Sequence, residues 1–330
     1  MRAAAHLATG WRGVGMAVLC SFLSFLCAAR QSSEDLPLIS PLSSAVGDLP
    51  LDPPTKTQIQ KAVSSREYAA AEVSLLRALE KNPADPRLLS YAGRIFFMDH
   101  KYLNSAIAMQ KADSQHHLAD TDRFTLAMSY IALKRPDWAR GELDQLAQAS
   151  PENALYVYWQ GRLYYDGQKM TEAAEKFRCA IDLDPTFMKA YDNLGLVLDS
   201  LGKTDQAVQV YRSALTLDRE RKIKSPWPPL NLGILLVRLN RLDEAEPLFR
   251  EALRFNPDFS PAHYQLGSLL EKQGKTSPAI EELKRAGELD PADPKPHYAL
   301  ARIYRSIHDV RQADQEIEAF QSLRSKAPAE

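Results

Sequence analysis

From residue 52 to residue 327 the apolar positions fall into two short runs of helical period, and the two runs come back together at a fixed interval. The phrase NLGLVLDSLGKTDQA at residues 193–207 returns as NLGILLVRLNRLDEA from Asn231 and as QLGSLLEKQGKTSPA from Gln265. A frame of 34 residues, begun at Asp52, Pro86, Asp120, Ala154, Met188, Pro226, Ser260 and Pro294, aligns eight such units. Within a unit, positions 4, 7, 8 and 11 follow the i, i+3, i+4, i+7 spacing of one helical face, and positions 20, 24 and 27 give a second. Each unit therefore predicts two amphipathic helices joined by a turn, with Gly202, Asn240 and Gly274 at position 15 of three of them.

Side-chain size is patterned as regularly as polarity. Position 8 is small at Gly93, Ala127, Gly161, Gly195, Gly233, Gly267 and Ala301, and position 20 is small in every unit, from Ala71 and Ser105 to Ala279 and Ala313. Position 24 is large and apolar, as at Leu75, Phe177, Tyr211 and Phe249. Small residues let two helices approach, and the large one fills the space beside them; a bulky group at Gly195 or Ala207 should overpack the contact. Prolines at 83, 151, 185, 257 and 291 close units at position 32.

This pattern resembles the tetratricopeptide repeat family, whose unit is a 34-residue helix-turn-helix with the signature W-x2-L-G-x2-Y, A-x3-F and P. The resemblance implies an all-α, right-handed superhelical solenoid of about eight repeats, at 52–85, 86–119, 120–153, 154–187, 188–221, 226–259, 260–293 and 294–327. The first unit departs most, with Thr55, Gln58, Ile59 and Ala62 at the packing positions, and reads as a polar end cap. The last has no obvious helix after it, so its outer face is open to solvent or to a partner. Four extra residues, KIKS at 222–225, separate the fifth and sixth units ahead of PWPP, either as a hinge or as a longer solvated loop.

The repeats use up the chain, which leaves no room for a catalytic domain beside them. No phosphate-cradling Gly-rich loop, H-E-x-x-H helix or paired C-x-x-C is present. His263 and His297 fall on position 4, a packing position, and the adjacent His116 and His117 diverge on a helix rather than converge on a metal. Neither an enzyme nor a cofactor or metal is expected. With 41 Lys and Arg against 42 Asp and Glu, no global field draws the chain to nucleic acid.

Binding is then read from the surface that stacking leaves free. In the family, first-helix positions 2, 5, 6, 9, 12 and 13 line the concave groove. Carried over, these give Arg94 and Phe97, Phe124 and Met128, then Tyr158, Arg162 and Tyr165, then Asn193, Trp227 and Asn231, and finally Tyr264, Gln265, Tyr298 and Arg302. Aromatic and arginine side chains of this kind suit a protein or extended peptide, while Asn193, Asn231 and Gln265 at position 6 offer an amide ladder for a peptide backbone. The family's carboxylate clamp is poorly matched: Lys56 and Gln60 begin it, but Tyr91 stands where asparagine is expected. The alternative to a scaffold holding a partner is self-assembly into a homo-oligomer through the terminal repeats.

The N-terminal 29 residues carry Arg2 and Arg12, no acid, and the apolar run MAVLCSFLSFLCAA at 16–29. They read as a secretory signal peptide cleaved after Ala29, or as an uncleaved anchor. Residues 30–51 read as a flexible linker rich in proline and serine. Cleavage leaves Cys179 as the single thiol, so no internal disulfide is available. The absence of an N-x-S/T sequon favours a bacterial periplasm or exterior, with no membrane insertion once the signal is removed.

Overall fold

The computed structural model describes residues 42–222 and 224–326. The signal segment and residues 30–41 of the expected linker lie outside them. Among the described residues there are helices and no strands, and no helix is long and apolar enough to cross a membrane.

Sixteen helices from Pro53 to Lys326 form eight hairpins in the register that the sequence predicts. The first helices are Pro53–Ser64, Pro86–Met98, Asp120–Ala132, Ala154–Asp166, Met188–Ser200, Trp227–Arg238, Ser260–Lys272 and Lys295–Ser306. The second helices are Tyr68–Lys81, Tyr102–Gln115, Pro136–Ala149, Met170–Leu183, Thr204–Glu220, Leu242–Phe255, Thr276–Leu289 and Val310–Lys326. Two compact units divide the chain, one up to Leu146 and one from Ala147. In each, a second helix packs on its own first helix and on the first helix of the following repeat.

One turn geometry closes every hairpin. Position 15 is left-handed in all eight repeats, at Arg66, His100, Lys134, Gln168, Gly202, Asn240, Gly274 and His308, with φ between 57° and 74°. The next residue donates its N–H to the carbonyl five residues back, as in Lys203 to Leu198 at 2.8 Å and Lys275 to Leu270 at 2.9 Å. This six-to-one bond is the Schellman stop, and it consumes a carbonyl that the end of the first helix would otherwise leave unpaired. Gly and Asn accept the left-handed conformation readily, whereas Arg66, His100, Lys134, Gln168 and His308 adopt it because the bonded corner demands it.

Inside the hairpin the small and large positions meet. Every position 20, Ala71 to Ala313, is sealed from solvent, and so is every position 24 except Ile317, in the last of the described hairpins. In the second unit these residues join one apolar cluster running from Val157 to Ala313.

The second helix of repeat 5 runs on to Glu220 and has 17 residues, where that of repeat 4 has 14, and the inserted residues follow it. The added turn is tied down at two points. Asp218, fully buried, accepts the Ser225 N–H on both carboxylate oxygens at 3.0 and 3.1 Å. Arg219 makes a paired contact with Glu251 of repeat 6 at 2.8 and 2.5 Å. The segment is therefore anchored next to repeat 6, while Lys222 and Lys224 stay exposed as a solvated loop would have them.

Two expectations for the N-terminal end are corrected. Residues 42–51 are not a flexible linker: Leu42–Ala45 is helical, Val46–Asp48 is a 3-10 turn, and Leu42, Val46 and Leu49 are buried. Nor is repeat 1 capped by polarity alone, because Ile59 and Val63 share an apolar cluster with those three residues. Aliphatic side chains spaced i, i+4, i+7 form one apolar stripe, and covering it removes more apolar surface from water than leaving both partners exposed.

Candidate protein-binding face

The fourteen residues expected to line a groove split into two groups. Phe124, Met128, Tyr158, Tyr165 and Asn193 are buried, with Phe124 only 2% and Tyr158 6% exposed. This corrects the expectation that they present themselves to a partner. Neighbouring helices lie about 8–10 Å apart, so a large ring at position 5 or 12 reaches the adjacent repeat instead of solvent. Tyr158 does so through its hydroxyl, which accepts from Asn193 of repeat 5 at 3.2 Å, while its ring lies 4.9 Å from that of Phe187 and 5.6 Å from that of Phe177 in its own repeat. Tyr165 lies under the Arg162 guanidinium, 5.9 Å from its ring centre.

The polar members are engaged with one another across successive repeats. In the first unit Arg94 donates to Asp122 at 2.5 Å, and Phe97 is half-buried with its ring 5.4 Å from Tyr102. In the second unit Arg162 donates to Asn193 at 3.2 Å, while Asn193 donates to the Tyr158 hydroxyl at 3.2 Å and the Lys189 carbonyl at 2.8 Å. Asn231 donates to Asp192 at 3.1 Å. Two of the three amides of the expected ladder thus serve to tie first helices together. Burial pushes the Asp192 carboxyl up to about 7 although the Asn231 amide holds it down. Arg238 pairs with Asp199, and Arg302 pairs with Glu271 through both guanidinium edges, the Nε bond at 2.8 Å.

The most exposed apolar side chains of the first-helix face lie in repeats 5 to 8. Leu196 at position 9 is 40% exposed and Tyr298 at position 5 is 51% exposed. Between them lie the half-buried Ile234, Tyr264 and Gln265, with Trp227 stacked edge-on to Phe259 at 4.9 Å. The Arg238–Asp199 and Arg302–Glu271 pairs run along the same helices. An apolar strip bordered by charge is the composition of a protein-binding surface, with an apolar centre that loses water and a polar rim. Leu196 was absent from the sequence reading, although position 9 of the frame points to it.

Sequence reasoning also missed a recurring pair between position 4 and position 23. Arg123 bonds to Glu142 at 2.6 Å, His263 to Glu282 at 2.6 Å and His297 to Glu316 at 2.6 Å. These side chains sit at packing positions, as expected, but each packs through a polar contact to a glutamate of its own hairpin.

Tetratricopeptide repeat models match residues 124–186, 200–268 and 236–303, together half of the chain. The chain belongs to the tetratricopeptide repeat family. Solved structures agree on the fold of this tetratricopeptide repeat protein. One from Parabacteroides merdae superposes with a TM-score of 0.58 at 18% identity, over 72% of this chain and 92% of that one. PilW, a type IV pilus biogenesis factor, gives a TM-score of 0.55 at 18% identity, over 63% of this chain and 95% of its own. The C-terminal part of a repeat protein from Cytophaga hutchinsonii gives 0.53 at 15% identity, over 72% and 96%. Such identities speak to fold and not to partner. No curated protein sequence matches the chain.

Proposed function

We propose that the protein is a non-catalytic scaffold that holds a partner protein or extended peptide against the first-helix face of repeats 5 to 8. The observation that carries this reading is the open strip from Leu196 to Tyr298, whose bordering charges are already paired with each other. Pre-paired arginines are held in place before a partner arrives, so binding them costs little side-chain entropy. Arg302 and Glu271 keep solvent-facing edges that serve as a rim, and Gln265 supplies an amide beside them.

A photo-reactive phenylalanine analogue placed at Tyr298 or Leu196 tests this. A defined partner cross-linked at both sites, and lost when Leu196→Asp and Tyr298→Asp are combined, supports it. Undiminished capture by that double variant, with helicity intact, removes this face from consideration.

The apolar run at residues 16–29 supports export to a bacterial periplasm or exterior, either free after cleavage or tethered by the uncleaved segment. The mass of the chain recovered from each cell fraction distinguishes the two. A second reading, self-association through the last repeat, is favoured by Ile307 and Val310, exposed at 47% and 65% beside the final helix. A monomeric mass at high concentration in solution excludes it.

A further inference from the structure

The groove positions of repeats 1 and 2 are already filled, and by the chain itself. Tyr91, at position 6 of repeat 2, donates its hydroxyl to the Leu42 carbonyl at 2.9 Å in a buried bond. Lys56, at position 5 of repeat 1, donates to the Gly47 carbonyl at 2.6 Å. Lys56 is one of the residues that begin a carboxylate clamp in the sequence, Tyr91 is the one that departs from it, and here both grip a backbone carbonyl. Between the two bonds, Leu42, Val46 and Leu49 are 7%, 1% and 5% exposed and share an apolar cluster with Ile59, Val63 and Tyr91.

We propose that this face is a binding site for a short aliphatic helical segment, that residues 42–51 are its resident ligand, and that an outside segment of the same chemistry enters only by displacing them. Recognition has two parts. Side-chain donors hold main-chain carbonyls, which any sequence supplies. The apolar floor then selects aliphatic side chains at i, i+4 and i+7, so the occupant's residues need spacing and not identity. A covalently attached occupant is present at high effective concentration, which keeps weaker competitors out. The site belongs to other repeats than the open strip described above, so either reading can fail without the other.

The test uses the full chain and a fluorescent peptide spanning residues 41–52. Val46→Asp places a carboxylate in the apolar floor and releases the resident segment; the variant should bind the peptide at least about tenfold more tightly than the unaltered chain. Adding Tyr91→Phe to Val46→Asp keeps the ring but removes the bond to the Leu42 carbonyl, and should weaken that binding by about threefold to tenfold. Equal binding by the unaltered chain and Val46→Asp, or no binding by a variant that keeps its helicity, overturns the proposal. If Val46→Asp fails to fold, hydrogen exchange on the unaltered chain decides. Amides of residues 42–51 should exchange well before those of residues 88–96 beneath them, and joint exchange overturns the proposal by making the segment part of the core.

Discussion

Gly195 lies so close under the ring of Tyr211 that a methyl group on its α carbon would come within 2.4 Å of the ring's Cζ. The same contact recurs between Gly233 and Phe249 at 2.5 Å. Both pairs join positions 8 and 24, one on each helix of a hairpin. Gly195→Ala should therefore destabilise the protein by about 1–3 kcal/mol despite the better helix propensity of alanine. Urea denaturation of the variant measures it; an unchanged midpoint would mean that Tyr211 moves aside freely.

The aromatics of the first-helix face should divide by burial. Truncating Phe124 or Tyr158 to Ala removes a ring from the core and should cost about 3–5 kcal/mol. Tyr298→Ala, at an open position with one ring neighbour in Phe320, should cost under about 1 kcal/mol and act instead on partner capture. Denaturation curves for the three variants, set beside the cross-linking yields, separate the two roles.

His263 gives the stability a pH dependence of known sign. Its Nδ1 faces Glu282 at 2.6 Å and its Nε2 faces the Pro257 carbonyl at 2.9 Å. Both neighbours accept, so both ring nitrogens donate only when the imidazole is protonated. Burial pushes the group down, but the Glu282 carboxylate and the Pro257 carbonyl outweigh it and the net shift is upward from 6.5. A raised folded value means that the contribution is complete below about pH 6.5 and is lost as pH rises through the folded value. Its size is about 1 kcal/mol, reduced by screening from the full strength of a charged hydrogen bond. His263→Gln should flatten the stability profile between pH 6 and 8, measured as the melting temperature across that range.

Asp218 holds the insertion through two bonds to one N–H and is sealed from solvent. Asp218→Ala leaves the Ser225 N–H without its acceptor and should cost about 1–3 kcal/mol. Hydrogen exchange should show the loss of protection concentrated at Ser225 and the end of the preceding helix. Protection lost evenly over repeats 5 and 6 would argue that the loop is not separately anchored.

Lys134 occupies the left-handed corner of repeat 3 with φ 57°. That conformation costs a side-chain-bearing residue about 1–2 kcal/mol, of which glycine returns part to the unfolded chain as entropy. The exposed Gln168 holds the same corner in repeat 4 with φ 59°, so Gln168→Gly should stabilise the protein by roughly 0.5–1 kcal/mol, read as a raised denaturation midpoint.

The repeat frame was legible because it rests on size and period, which are local properties. Gly195, Ala207 and Tyr211 announce their contact at fixed spacing before any fold is known. The face was less legible, because burial there depends on what the next repeat brings. Tyr158 and Tyr298 both occupy position 5, yet Asn193 of the next repeat and Phe187 at the junction cover the first while the second stands open. The amides at position 6 likewise look free until Asp192 and Tyr158 are placed beside them. The docking of residues 42–51 was hidden for a different reason. Proline and serine mark an extended or flexible stretch, and the few aliphatic residues among them, Leu42, Val46, Leu49 and Leu51, are too sparse to signal a buried helix turn.

Each hairpin in the second unit leans only on those immediately before and after it. Faults are therefore contained. Crowding introduced at Gly267 should loosen Leu283 and its neighbours and leave the Gly161–Phe177 contact untouched. Among the described residues the helix Val310–Lys326 packs on Lys295–Ser306 alone, so fewer contacts hold it than hold a second helix between two hairpins.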